Sequence, residues 1–208
     1  MNLASKNAAF GSVFSLNTDG TGFTNLCQII GLGTPFFPET HIVLSGLLIS
    51  GNTLYGAEYD TFVTCQTCFP QLYGTAGRVF AVNTDGSGYT TLYHSYDFSP
   101  AEVILSGNTL YGRTDIYPGV GYGYAPGRLF SLVFAPSLTM NPSGSNGILS
   151  WPTNYAGFDY SGYTLQSTTN LGSTAIWSTN SPAPVVINGL NTVTNPISGT
   201  QQFFRLSQ

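Results

Sequence analysis

Gly77-Arg-Val-Phe-Ala-Val-Asn-Thr-Asp-Gly-Ser-Gly-Tyr-Thr90 decides the fold, because Gly11-Ser-Val-Phe-Ser-Leu-Asn-Thr-Asp-Gly-Thr-Gly-Phe-Thr24 is nearly the same text. A partial third copy runs from Gly127 to Leu132. Between these copies, Leu48-Ile-Ser-Gly-Asn-Thr-Leu-Tyr-Gly56 returns as Leu105-Ser-Gly-Asn-Thr-Leu-Tyr-Gly112. Recurrence at this spacing marks an architecture of stacked units. Each motif reads as a hairpin, since short alternating runs of Val, Phe, Leu and Tyr flank Gly-Asn or Asp-Gly, which tolerate the positive φ of tight turns. One unit then holds four strands, at 46–50, 53–57, 78–83 and 89–94. A second set covers the first three at 102–106, 109–113 and 128–133, and the N-terminal region supplies only a third and fourth at 13–17 and 23–28. Four-stranded antiparallel units without helical periodicity between them predict an all-β chain with a partial β-propeller of about two and a half blades.

Composition narrows the classes of function. Charged residues are 7% of the chain, against about 25% in an ordinary soluble domain. Hydrophobic content of 42% supplies a core, so disorder is not expected. Only Lys6, Arg78, Arg113, Arg128 and Arg205 are basic, which leaves no patch for a nucleic acid. No apolar run reaches the roughly 20 residues that span a bilayer, and Met1 to Phe10 lacks the pattern of a signal peptide. The chain reads as soluble, and its poverty in Lys and Glu points to an extracellular or cell-surface location, with any export signal upstream. Cys27, Cys65 and Cys68 are an odd set. Cys65-Gln-Thr-Cys68 has zinc-ligand spacing but lacks a second pair, leaving open free or locally oxidised thiols or a site joined by Cys27 or His41.

The repeat region is expected over 1–134, followed by a linker over 135–147 rich in Pro, Ser and Gly. Beyond it, alternating segments around Trp151, Thr164, Val185 and Phe203 predict a small β-sandwich over 148–208. Trp151 and Trp177 are core residues or platforms for a sugar.

The two repeated motifs closely resemble the GloVer-type (Gloeo/Verruco) Gly-rich tandem β-repeat of environmental bacterial surface proteins, over roughly residues 10 to 133. That resemblance implies a propeller-like, exported protein and brings no catalytic residues with it. The C-terminal segment resembles a fibronectin type III-like module, which implies a spacer or an adhesive unit. With fewer units than a closed propeller needs, either the chain is part of a longer protein or copies associate to complete a ring.

Function is expected on the connections that alternate with the tight turns, because insertions in repeat folds collect on one face. Glu39, Glu58, Asp60, Asp97 and Asp115 lie on or beside them, as do both histidines and Glu102. Loops collect polar residues in any case. Carboxylates are also the hard oxygen ligands that Ca²⁺ takes, and Ca²⁺ would polarise an ester or lactone carbonyl while His41 or His94 moves a proton, with Glu58 beside them. A Gly-rich connection carries Tyr117, Tyr122 and Tyr124, whose rings would stack on a glycan or a protein partner. The first expectation is thus an extracellular binding or structural module with a glycan or protein partner. The alternative is a Ca²⁺-dependent lactonase or esterase.

Overall fold

The structure is a computed structural model that describes residues 10–30, 41–65, 72–96, 99–114, 117–118, 124–125, 127–180, 182–198 and 201–208. Among these residues the regular elements are strands and no helix occurs, so the chain is all-β. Two compact units divide it, Met1–Val133 and Phe134–Gln208.

In the first unit, β1 (Phe10–Ser15) and β2 (Thr24–Ile30) form one hairpin. A second sheet contains β3 (His41–Leu44), β4 (Leu48–Ser50), β5 (Thr53–Cys65), β6 (Leu72–Asn83) and β7 (Thr90–Tyr96). Next come β8 (Pro100–Ser106), β9 (Thr109–Thr114), the short ladder of β10 (Tyr117–Pro118) with β11 (Tyr124–Ala125), and β12 (Leu129–Val133). The order β4-β5-β6-β7 is an antiparallel meander, and β8-β9-β12 repeats its first three strands.

The repeated turns have repeated geometry. Gly51 and Gly107 take φ of +56° and +55° as first residues of two-residue hairpin loops, a position that favours glycine. At the other motif, the Asn17 amide bonds Thr21 O and the Asn83 amide bonds Ser87 O, both at 2.9 Å. Each ladder also slips by one residue at the same place, between Val13 and Phe14 and between Val79 and Phe80. The Thr84 amide donates to Asn52 O at 3.0 Å, so the two tight turns of the second sheet lie side by side at one end.

Gly56 and Gly112 have a different task. Phe80 is directly opposite Gly56 and Phe130 directly opposite Gly112, each ring lying where a glycine Cβ would stand, with Cζ 2.4 Å from that position in both cases. The recurring Leu-Tyr-Gly therefore makes room for the recurring Phe of the next strand. Gly56→Val is expected to destabilise the protein by about 1–3 kcal/mol, the usual range for overpacking. Part of that loss should return in a Gly56→Val/Phe80→Leu variant, as read by urea unfolding.

Both faces of the second sheet are covered. Phe80 and Val82 share a core with Val13 and Ile29 of the β1-β2 hairpin, and Leu54 packs on it. By strand alternation Tyr55, Ala57, Val79 and Ala81 face the other way. They are buried too, and β8 runs against β4, β5 and β6.

The structure corrects one reading of the connections. Residues 58–65 and 72–77, expected within a long loop, continue β5 and β6 as one extended hairpin whose ladder reaches Cys65 opposite Leu72. β3 pairs with this extension, His41 opposite Thr61 and Leu44 opposite Glu58. Ser45 joins β3 to β4 through an irregularity in which its amide bonds Ala57 O at 2.9 Å and its hydroxyl accepts from the Ala57 amide at 3.0 Å.

In the second unit, β13 (Thr139–Ser143) and β14 (Asn146–Pro152) form a hairpin, followed by the two-residue strands β15 (Asn154–Tyr155) and β16 (Phe158–Asp159). β17 (Thr164–Thr168), β18 (Ser178–Thr179), β19 (Val185–Ile187), β20 (Leu190–Pro196) and β21 (Phe203–Ser207) complete it. One sheet runs β13-β14-β20-β19 and another β18-β17-β21. Leu149, Trp151 and Val193 from the first share one core with Leu165, Phe204 and Leu206 from the second. The stretch expected as linker thus contains β13 and the turn at Gly144, with φ of +60°. Pro142 is compatible with a strand there because β13 lies at the sheet edge.

Candidate functional site

The candidate residues fall into three groups. Glu39, Asp97, Asp115, Cys68 and Tyr122 lie outside the described residues. For His41, Asp60, Cys65, Tyr117 and Tyr124 the backbone is placed on strands: His41 on β3, Asp60 and Cys65 on β5, Tyr117 on β10 and Tyr124 on β11. Ile42 stands opposite Asp60 and Pro118 opposite Tyr124. Side-chain surroundings are described for Glu58, His94, Glu102 and Cys27.

Glu58 and Arg78 are directly opposite on β5 and β6, and Arg78 is in turn opposite His94 on β7. Residues facing each other across antiparallel strands project on the same side. The row Glu58, Arg78, His94 is therefore a common feature of one sheet face, the face that also carries Phe80. Arg78 Nε donates to Glu58 Oε1, and both side chains are largely withdrawn from solvent. Tyr89 stacks on Phe80 with ring centroids 5.5 Å apart. Burial pushes its phenol up, against a downward pull from the Arg78 guanidinium. The same direction holds for Cys27, a free half-buried thiol raised by burial. His94 is exposed, with its ring edge-on to Tyr96 at 5.3 Å. Glu58 and His94 were expected at a site, whereas Arg78, which stands between them, was not. Its signal was present in the motif itself, Gly-Arg-Val-Phe at 77–80 and Gly-Arg-Leu-Phe at 127–130.

The other carboxylates with described side chains are also engaged. Glu102 Oε2 accepts from Arg113 Nε at 3.3 Å on an exposed face of the third sheet. Asp19 Oδ1 accepts from the Thr21 amide at 2.9 Å and the Thr21 hydroxyl at 2.7 Å, and Asp85 repeats both bonds with Ser87 at the same distances. Asp159 accepts from the Ser161 amide at 2.8 Å and the Ser161 hydroxyl at 2.9 Å. Among the described residues no group of three or more His, Cys, Asp or Glu stands close enough to hold a metal ion.

These turn bonds favour the ionised carboxylate, and hold Asp19, Asp85 and Asp159 below the ordinary aspartate range. A depressed folded-state pKa means that the added stability is complete above the unfolded value of about 3.9 and is lost as pH falls through the lower folded value. An Asp19→Asn/Asp85→Asn variant is accordingly expected to show a shallower loss of stability below about pH 4, as measured by urea unfolding in an acid pH series.

In the second unit Trp151 is buried in the core, which settles its role as packing. Trp177 is partly exposed and carries Arg205 over its ring at 4.3 Å, with Arg205 Nε donating to Gln166 Oε1 at 2.9 Å. A shallow groove on this unit is lined by Met140, Asn195, Ile197, Gln201, Gln202 and Phe204.

No protein-family model matches the chain, and no curated protein does. Two solved structures are similar at a low level: "Crystal structure of S. aureus TarS 217-571", at 12% identity with a TM-score of 0.17 over 94% of this chain, and "Crystal structure of S. aureus TarS", at 12% identity with a TM-score of 0.18 over 94%. The alignments span 64% and 40% of those two chains. Similarity of this size carries no argument about fold or activity.

Proposed function

We propose that this chain is an extracellular binding or structural module, in which propeller-type blades present their connecting segments to a glycan or a protein and a fibronectin type III-like sandwich follows as a spacer. The observation that carries this reading is how the described carboxylates are used. Glu58 and Glu102 hold arginines across strands, while Asp19, Asp85 and Asp159 close turns. Acidic residues committed in this way stabilise sheets and hairpins.

The tight turns occupy one end of the second sheet, leaving the opposite connections as the place where sequence varies without disturbing the frame. The Gly-rich segment with Tyr117, Tyr122 and Tyr124 is the binding element of this proposal, since tyrosine offers a flat apolar face and a polar tip. The hydrolase alternative is separable by one assay. With Ca²⁺ supplied, a panel of esters and lactones should give no turnover above buffer; turnover that chelator abolishes, and that His94→Ala loses, would replace this proposal with the lactonase or esterase reading.

A further inference from the structure

Equivalent positions of the repeat differ sharply in burial, and the differences lie at the two ends of the sheet stack. Phe80 of β6 is fully buried, because the β1-β2 hairpin covers its face through Val13 and Ile29. Phe14 occupies the same place in Gly-Ser-Val-Phe-Ser-Leu and is 53% exposed. Leu16 and Phe23 beside it are exposed too, with the Phe23 ring 5.3 Å from that of Phe14.

At the opposite end the other face is bare. Val79 is fully buried under the third sheet, whereas Leu129, its counterpart in Gly-Arg-Leu-Phe-Ser-Leu, is 90% exposed. Tyr55 is buried and its counterpart Tyr111 is exposed. The cross-strand rows of the third sheet put Ile104 with Tyr111 and Ser131, Arg113 with Leu129, and Thr109 with Val133. Ile104, Tyr111, Leu129 and Val133 thus share one exposed face, with the Glu102–Arg113 pair lying between Leu129 and the strand edge of β8.

We infer that these two faces bind each other between copies of this chain, head to tail. The exposed face of the third sheet in one copy takes the position against Phe14, Leu16 and Phe23 of the next copy that the back of the β1-β2 hairpin takes against Phe80 and Val82 within the chain. The internal contact supplies the argument for this occupant: the same repeat positions already pack face to face in this order, so a second copy offers the matching surface at both ends. Because the two surfaces differ, the contact is heterologous, and it closes into a ring or propagates according to the rotation between copies. This inference rests on reading the sheets as stacked repeats. It is independent of any ligand at the connecting segments, so a failed glycan experiment leaves it standing.

Sedimentation velocity on the full chain over a concentration series tests it, with variants at exposed positions. The wild type should sediment as two or more copies, and Phe14→Asp and Leu129→Asp should each weaken association at least tenfold while melting at the wild-type temperature. The mixture is decisive. A Phe14→Asp chain keeps an intact third-sheet face and a Leu129→Asp chain keeps an intact β1 face, so the equimolar mixture should form a complex of one copy each that neither variant forms alone. A wild type that stays monomeric at the highest concentration would overturn the inference. So would association that survives both substitutions, or a mixture that remains monomeric.

Discussion

Glu58→Ala is expected to lower the free energy of unfolding by about 3–5 kcal/mol, the range for removing one partner of a buried ion pair. The reason lies with the group left behind. Arg78 is held on β6 between β5 and β7, directly opposite Glu58, and is mostly shielded from water. Truncating the carboxylate takes the opposite charge away from a guanidinium that stays ionised and mostly shielded from water. Replacing both partners by apolar side chains, Glu58→Leu with Arg78→Met, should recover most of the loss, because the cost comes from a buried charge that has lost its carboxylate. Glu102→Ala provides the contrast. Its pair with Arg113 is exposed on both sides, and its removal should cost less than about 1 kcal/mol. Urea unfolding of the four proteins checks the ordering. A Glu58→Ala protein as stable as the wild type would return Glu58 to the list of groups held for chemistry.

Trp151→Ala should cost about 3–5 kcal/mol in the second unit, the range for truncating a large core aromatic. Trp151 joins Leu149 and Val193 of one sheet to Leu165 of the other, so its loss opens a cavity in the layer that holds the two sheets together. Trp177 then remains as the only tryptophan and reports the unfolding of that unit by its fluorescence. Trp151→Phe should cost a fraction of this amount. Among the described residues the buried indole Nε1 has no hydrogen-bond partner, so phenylalanine gives up volume but no bond.

Much of the fold was legible because turns and cross-strand contacts are local chemistry. Asn-Thr-Asp-Gly and Ser-Gly-Asn-Thr marked hairpins from their backbone requirements, and strand order followed from the turns. The extension of β5 through Glu58 and Asp60 was not legible. Its charged residues read as loop, and only the pairing of β5 with both β3 and β6 turns that stretch into sheet. β13 was hidden for a similar reason, since Pro142 and Gly144 are loop residues unless an edge strand and a turn are known to be there. The candidate site was legible in composition and not in contacts. Glu58 and Arg78 are 20 residues apart in sequence, and their pairing depends on the register set across Gly56 and Phe80.

The proposal that this chain binds through its Tyr-bearing connection is tested most directly by a glycan array and a surface-protein pull-down with wild type and a Tyr122→Ala/Tyr124→Ala variant side by side. Saturable wild-type signal that the variant loses, at an unchanged melting temperature, is the predicted result. Signal that persists in the variant, or a wild type that binds nothing on either platform, would contradict it.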